Sequence, residues 1–423
     1  MRNLDAGTSY LLYQCGTEIP QSEVGKHNGT FAVPLQDGVA ITSTTILPHF
    51  EQLGLRRQVK GVFMDPQWIN SPCFSTLIDD KAITAVYGFG YSSNSPFTSG
   101  DYHQMNATSF LEEHSDVVVL MTGDTSDPNS FIISEDAEES NQAIYEWHKV
   151  IGALFNKEAL ANENFDGSSA RYDCAVQNAA ELVASSEATP KVAWAYWSNW
   201  TGVPFWDVAR CDQKNNYYCE FAAACSAEIL HSNDGSILNP YYYGEGEDYH
   251  MTNEEFFAFA KDADVFIYLD SNFYDVYETY KDELDQFKSV QNNAVYDSTK
   301  SGAAAWREQR IAEYGKCSGI VLLCDHVHLD LTTMFLRLDV VLQDFCSVVG
   351  LDSTSHERVF FRQVLPKNTE EEGNLGVCSE AEVDLQWKTR ASSCAPIESS
   401  SAVSVSIGNF VALCILCAWV ISL

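Results

Sequence analysis

The sequence predicts an α/β protein of two lobes joined by a long helix. Short apolar runs that read as buried strands fall into two groups, a helical pattern lies between the groups, and a short motif recurs once in each. In the first group are Gly38-Val-Ala-Ile41, Gly61-Val-Phe-Met64, Ala85-Val-Tyr87 and Val117-Val-Val-Leu120. In the second are Val192-Ala-Trp-Ala-Tyr196, Val265-Phe-Ile-Tyr-Leu269 and Ala294-Val-Tyr296. Runs this short, apolar throughout and spaced by helical stretches, suit parallel sheets covered on both faces. Between the groups, from about Glu138 to Leu182, Ile144, Trp147, Ile151, Leu154 and Phe155 recur at helical spacing on one face, with Gly167-Ser168-Ser169 as a candidate break.

The recurring motif starts with Asp-Tyr-His. Asp101-Tyr-His103 precedes Asn106 and Phe110, and Asp248-Tyr-His250 precedes Asn253 and Phe257 at the same spacing. Each copy then leads into an Asp-initiated apolar strand, which fits two similar lobes. The expected organisation is an N-terminal segment 1–29, a first lobe 30–137, an inter-lobe helix 138–184 and a second lobe 185–352. A stalk at 353–401 and a C-terminal membrane segment at 402–423 follow. The stalk is inferred from charge, Ser and the lack of apolar runs.

Hydrophobic residues make up 45%, which allows a sizeable core, while a net charge of −34 disfavours nucleic acid and anionic membrane surfaces as partners. The 13 cysteines show no zinc-type grouping outside the tail, so disulfides in an oxidising compartment are expected. Cys211 with Cys219, and Cys378 with Cys394, are candidate short loops. Sequons occur at Asn28, Asn106 and Asn199; glycosylation is expected at the first two, because a glycan on Asn199 would crowd a cleft.

No charged residue occurs from Ala402 to Leu423. As a helix this stretch would reach ~33 Å, about one bilayer core. Small residues at Ser399 and Ser400, a spacer and an apolar tail also form a glycosylphosphatidylinositol addition pattern, so a lipid anchor and a single-pass helix are both open readings. Met1-Arg-Asn-Leu-Asp-Ala-Gly7 has no signal-peptide core, and a missing start is the expected reason.

Gly38-Val-Ala-Ile-Thr-Ser-Thr-Thr-Ile-Leu-Pro-His-Phe-Glu-Gln-Leu-Gly54 with Val59-Lys-Gly-Val62 resembles the opening of the siderophore/cobalamin-type substrate-binding proteins of ABC transporters. Phe110–Leu120 looks like that family's helix-then-strand unit, Glu146–Glu158 like the start of its inter-lobe helix, and Trp306-Arg-Glu-Gln-Arg310 like its closing motif. The resemblance covers roughly residues 30–350. It implies two Rossmann-like lobes on one rigid helix (a periplasmic-binding-protein-like fold of the helical-backbone class). A chelated metal would lie between the lobes, with no catalysis and no intrinsic cofactor. Two departures stand out. The anchor, sequons and cysteines are similar to those of a eukaryotic cell-surface relative, such as the ferrichrome-binding-like proteins of marine algae, which puts a permease partner in doubt. Residues 315–338 interrupt the closing pattern as an insertion or a translated intron.

Ligands of such sheets sit outside the strands' carboxyl ends. Trp197, Trp200 and Trp206 follow a second-lobe strand, and Trp194 and Tyr196 read as its core. Tyr91 follows a first-lobe strand beside glycines, Thr44 follows another, and Tyr242 lies in a tyrosine triplet. Through the resemblance, Trp306 and Arg310 would face the ligand, Arg310 pairing with an anionic chelate. For each of these a packing, capping or plain loop role is the alternative. His103 and His250 are placed alike by the echo, with inherited structural use as the default. No nucleophile, phosphate-loop or metal-ligand motif occurs, so no catalytic and no metal-binding residue is assigned. The expected function is surface capture of a metal chelate, most of all a ferric siderophore, for iron uptake, with a receptor, reductase or permease as onward partner. A surface hydrolase and an adhesion glycoprotein are the alternatives.

Overall fold

The structure, a computed structural model, describes residues 1–69, 71–89, 94–122, 129–184, 188–199, 202, 204–209, 211, 217–231, 249–270, 272–300, 338–352, 356–373, 377–386 and 394–397. A small sheet of β1 (Arg2–Asn3), β2 (Thr8–Gln14) and β3 (Gly29–Val33) comes first. Tyr10 of β2 stacks on Phe131 at 4.3 Å and its hydroxyl accepts the Ile132 N–H, which fastens this sheet to the first lobe.

The first lobe is one six-stranded sheet of β4 (Val39–Ile41), β5 (Val59–Val62), β6 (Thr84–Tyr87), β7 (Gln104–Asn106), β8 (Val118–Met121) and β9 (Ser130–Ile132). Its order is β7-β6-β5-β4-β8-β9, and every pair is parallel. Parallel neighbours need crossovers, and the helices α1 (Leu47–Gln52), α2 (Pro72–Asp79) and α3 (Ala107–Glu113) provide them. Side chains alternate between two buried layers: Val39, Ile41, Val118 and Leu120 on one face, Ala40, Val119 and Met121 on the other. Gly61 of β5 lies under the Phe110 ring of α3, where a Cβ would meet that ring at 2.5 Å. Gly38 has φ +81°, and a Cβ there would come 2.3 Å from the Gln58 carbonyl oxygen.

The inter-lobe element is α4 (Asn141–Leu154) followed by α5 (Glu158–Val183). The break comes at Asn156, in the left-handed region at φ +53°, and not at Gly167–Ser169, which is helical. The serine there is held in place, because buried Ser168 donates to Asp339 at 2.7 Å. At ~1.5 Å per residue α5 is about 39 Å long and enters both cores. Ala161 belongs to the first core; Tyr172, Ala175 and Ala179 belong to the second.

The second sheet contains β10 (Lys191–Ser198), β11 (Phe205–Val208), β12 (Glu228–Ile229), β13 (Tyr249–Met251), β14 (Val265–Tyr268), β15 (Val295–Asp297) and β16 (Arg362–Gln363). Its order is β13-β11-β10-β14-β15-β16, with β12 also on β10. This sheet is mixed, which corrects the expectation of a second parallel sheet: β10–β11, β11–β13 and β15–β16 are antiparallel. The six residues between β10 and β11 are too few for a crossover. Helices α6 (Tyr217–Ala224), α7 (Asn253–Ala260), α8 (Phe273–Thr279), α9 (Lys281–Leu284), α10 (Lys288–Gln291) and α11 (Leu338–Val348) pack around it. Leu338, the end of the suspected insertion, is the fully buried first residue of α11; the rest of that insertion lies outside the described residues.

The expected stalk packs against the body. Phe360, Phe361, Val364 and Leu365 are in the second core, while Cys378 and Val383, at α12 (Glu380–Val383), are in the first. Its polar groups find partners: the N–H groups of Val359, Phe360 and Phe361 donate to buried Asp344 of α11, and Arg362 pairs with Asp297. Cys378 and Cys394 do not bond each other. The disulfides are Cys73–Cys378, Cys174–Cys394, Cys211–Cys219 and Cys225–Cys346, so the Cys211–Cys219 loop is as expected. No helix among the described residues is long and apolar enough to cross a membrane, and 402–423, with Ser399 and Ser400, lies outside them.

Candidate functional site

In the first sheet the chain runs outward from β4 to β7 and then returns to β8 on the other side of β4. The crevice at such a reversal, at the carboxyl ends of the strands, is where open α/β sheets take ligands. Ser43-Thr44-Thr45 sits at this point of β4. Ser43 caps the following turn, its Oγ accepting the Thr45 N–H and lying 2.7 Å from the Thr45 hydroxyl. Thr42 Oγ1 accepts the Thr122 N–H at 3.3 Å and ties the ends of β4 and β8 together. Thr44 is 4% exposed, and its Oγ1 has no hydrogen-bond partner among the described residues. A buried hydroxyl without a partner costs ~1–3 kcal/mol, which makes Thr44 a candidate for a polar partner beyond the described residues.

β10 is the counterpart in the second sheet, central and flanked in parallel by β14. At its end the Trp197 N–H donates to the Tyr268 hydroxyl at 3.4 Å, and Trp197 lies 6.2 Å from the Tyr280 ring. Its Nε1 is buried and unpartnered among the described residues, while the ring is half-buried. Trp194 Nε1 is unpartnered too, but that ring is 1% exposed and belongs to the core, as expected. Trp206, expected at the cleft, is a correction. It lies opposite Trp197 across the β10–β11 pair, yet it is fully buried, stacks on Phe256 at 3.9 Å and donates Nε1–H to Asn253 at 2.9 Å. Tyr91, Trp200, Tyr242, Trp306 and Arg310 lie outside the described residues.

Asn28 is exposed. Asn106 is half-buried and caps α3 by accepting the Thr108 N–H, and Asn199 is exposed at the end of β10. The Asp-Tyr-His echo marks two edge strands, β7 and β13, each followed by a helix that crosses to a strand beside the central one. Its histidines differ: His103 is exposed, whereas His250 is fully buried, 4.0 Å from the Phe205 ring and 3.7 Å from Asp207. Their surroundings are therefore unlike.

One polar network was not read from the sequence. His49 of α1 and His148 of α4 are buried with their Nδ1 atoms 3.2 Å apart. His49 Nε2 lies 3.5 Å from Glu135, and His148 Nε2 lies 3.1 Å from the Asn164 amide. If the Asn164 amide donates, the tautomers follow: His148 carries its proton on Nδ1, His49 on Nε2, and the chain of donors ends on the Glu135 carboxylate. Burial, with His49 adding to it, holds His148 well below the ordinary histidine range. The signal that points to it is His148 itself, a polar residue on the apolar face with Ile144 and Ile151. No group of three or more metal-ligating side chains occurs among the described residues.

No family's sequence model matches the chain, and no curated protein matches it. Solved structures do show likeness. A siderophore-binding protein bound to two acinetobactin molecules and ferric iron is 16% identical, with a TM-score of 0.44, over 75% of this chain and 94% of that one. A periplasmic heme-binding protein from Pseudomonas aeruginosa is 10% identical, with a TM-score of 0.45, over 77% and 96%. A petrobactin-binding protein from Bacillus subtilis is 12% identical, with a TM-score of 0.45, over 74% and 92%.

Proposed function

We propose that this protein is an extracytoplasmic binding protein that holds a metal chelate, most of all a ferric siderophore, between its two lobes. The observation that carries the reading is the matched pair of central strand ends. Thr44, just beyond β4, and Trp197 on β10 each present a buried polar atom with no partner among the described residues. A half-buried indole gives a flat chelate an apolar wall at low entropy cost. The sequence resemblance supports the same reading and adds Tyr91, Trp200, Tyr242, Trp306 and Arg310 as further ligand contacts. Four disulfides among the described residues suit an oxidising compartment. Within this reading, residues 402–423 tether the protein to a membrane, by lipid at Ser399 or Ser400 or as a helix, and Asn28 and Asn106 carry glycans. Uptake then passes the chelate to a receptor, reductase or permease.

The test is titration of the purified protein, lacking 402–423, with ferric trihydroxamates, ferric catecholates and heme while following tryptophan fluorescence. Saturable quenching by one of them is expected, weakened about tenfold or more by Trp197→Ala, an aromatic-contact loss of ~1.4 kcal/mol or more. Absence of quenching and of any calorimetric heat with every chelate removes the reading.

A further inference from the structure

Thr44 and the buried histidine pair belong to one continuous piece of chain. The turn Thr44–Ile46 runs straight into α1, with the Leu47 N–H donating to the Thr44 carbonyl, and His49 lies in the first turn of that helix. A shift of α1 against α4 therefore moves Thr44 with it. The groups that face the pair come from four elements. Glu135 lies just after β9; Tyr145 of α4 stacks on His148 at 5.5 Å and donates to Gln52 of α1; Asn164 comes from α5. Glu135 is buried, and its Oε1 has no partner among the described residues. Glu51, the other titratable group of α1, is taken up by Arg56 and Ser71.

The pair has room for few protons. With one proton between them, the Nδ1 atoms at 3.2 Å form a single N–H···N bond. One added proton is accommodated. His49 then carries a proton on both nitrogens, facing Glu135 with one and donating to His148 Nδ1 with the other, while His148 is protonated on Nε2 and the Asn164 amide turns to accept. The next proton is not accommodated. Each Nδ1 would carry an N–H aimed at the other, the bond would be lost, and two positive rings would lie 5.4 Å apart out of water. Burial, together with His49, holds His148 well below the ordinary histidine range, in keeping with this limit.

We propose that the His49–His148 pair is an acid latch on the first lobe: it holds α1 against α4 up to one added proton, and the next proton parts them, shifts the Thr44 turn and weakens the hold on ligand. The protein then loads at neutral pH and unloads where the medium is acid. Glu51 works in the opposite direction, because burial raises its pKa and acid favours its folded state. The latch itself stands on the geometry of the pair; its effect on ligand rests on the proposed chelate reading.

The experiment follows the full-length protein in detergent from pH 7.4 to pH 5. Deuterium exchange at the imidazole C2 position, read by mass spectrometry, reports the titration of each histidine, and amide exchange reports residues 43–52. The two histidines are expected to titrate in separate steps, with faster amide exchange over 43–52 accompanying the second step only. At pH 5 a histidine released to an ordinary pKa of ~6.5 favours its protonated form by ~30-fold, which bounds the effect of one excluded proton. A ferric trihydroxamate, its absorbance showing that the chelate stays intact, should therefore bind about tenfold or more weakly at pH 5 than at pH 7.4. His148→Gln should bind like the parent protein at pH 7.4 and lose less than about threefold at pH 5. His49→Gln provides the same comparison if that variant does not fold. Titration of both histidines in one step, with unchanged exchange over 43–52 down to pH 5, overturns the latch whether or not a chelate binds. Opening in acid, with no ferric trihydroxamate, ferric catecholate or heme bound at any pH, upholds the latch and removes the chelate reading. Opening in acid with an unchanged affinity overturns its role in ligand release.

Discussion

The two lobes solve one packing problem with different materials. The first has a wholly parallel sheet between two layers of mostly aliphatic side chains. The second has a mixed sheet filled by rings, with Trp194, Tyr196, Trp206, Phe221, Phe256, Phe266 and Tyr268 all buried in one cluster. Two disulfides, Cys211–Cys219 and Cys225–Cys346, lie within the second lobe, whereas Cys73 of the first is bonded to Cys378 of the C-terminal segment. The shared crossover, from an edge strand through a helix to a strand beside the central one, shows that the topology does not require either solution. What differs is how tolerance is distributed. Small aliphatic layers leave little room for an added atom, whereas an aromatic stack suffers most when a ring is removed.

The largest expected effect tests the aromatic side. Trp206→Ala removes a fully buried ring, its stacking on Phe256 and the partner of Asn253. A loss of about 3–5 kcal/mol in denaturant unfolding is expected. A loss below about 1 kcal/mol would show that the second lobe collapses around the gap, and the contrast between the lobes would fail.

The converse change tests the first lobe. In Gly61→Ala the new methyl meets the Phe110 ring, and Phe110 is fully buried with Phe63 at its edge, 5.8 Å between centroids. The sheet or α3 must move, at an expected cost of about 1–3 kcal/mol in the same assay. A neutral result would mean that the two-layer packing is looser than its contacts imply.

The same contrast explains what could be read from sequence. Apolar runs buried on both faces announce themselves, so β4, β5, β6 and β8 and the cores of β10, β14 and β15 were legible. β11 and β13 were not. Phe205-Trp-Asp-Val208 follows an aromatic run closely, and its antiparallel pairing put Trp206 in the core where a cleft residue was expected. The expected stalk misled for another reason. Its charges read as solvated, but Glu370 pairs with Arg358 of the same segment and with Lys300 beyond β15, and pairing is invisible to composition. Cys378 finds its partner 305 residues away, beyond any local rule. For the candidate site, the strand-end rule pointed to Thr44 and Trp197, which lie just beyond β4 and near the end of β10. It could not locate His49 and His148, which are 99 residues apart and meet only through tertiary packing.

A smaller effect compares the two crossovers directly. α7 starts with a full capping box, in which Thr252 accepts the Glu255 N–H and Glu255 accepts the Thr252 N–H, whereas α3 has the Asn106 cap alone. Thr252→Ala should cost about 1 kcal/mol. Asn106→Ser, which keeps a capping oxygen, should cost a few tenths of a kcal/mol at most. Equal losses would show that the helix starts are held by packing and not by their caps.

The smallest effect concerns how each lobe is fastened to the helical spine, and here the two should differ in sign. The first lobe meets α4 through His49 and His148. The second meets it through Glu220, which accepts the Asn141 N–H at 2.6 Å and the Tyr172 hydroxyl at 3.3 Å. Burial lowers the His148 pKa, so the folded state binds fewer protons than the unfolded chain below about pH 6.5, and this contribution shrinks as pH falls through that range. Burial raises the Glu220 pKa against its hydrogen bonds, so its contribution is full below the ordinary glutamate range and shrinks as pH rises above it. Amide exchange corrected for intrinsic pH dependence, followed between pH 7 and pH 5, should therefore show α1 opening more readily in acid while α6 tightens or stays level. His148→Gln should flatten the first trend and leave the second. Parallel trends in both lobes would mean that one global opening governs both contacts, and that the lobes are fastened as a unit.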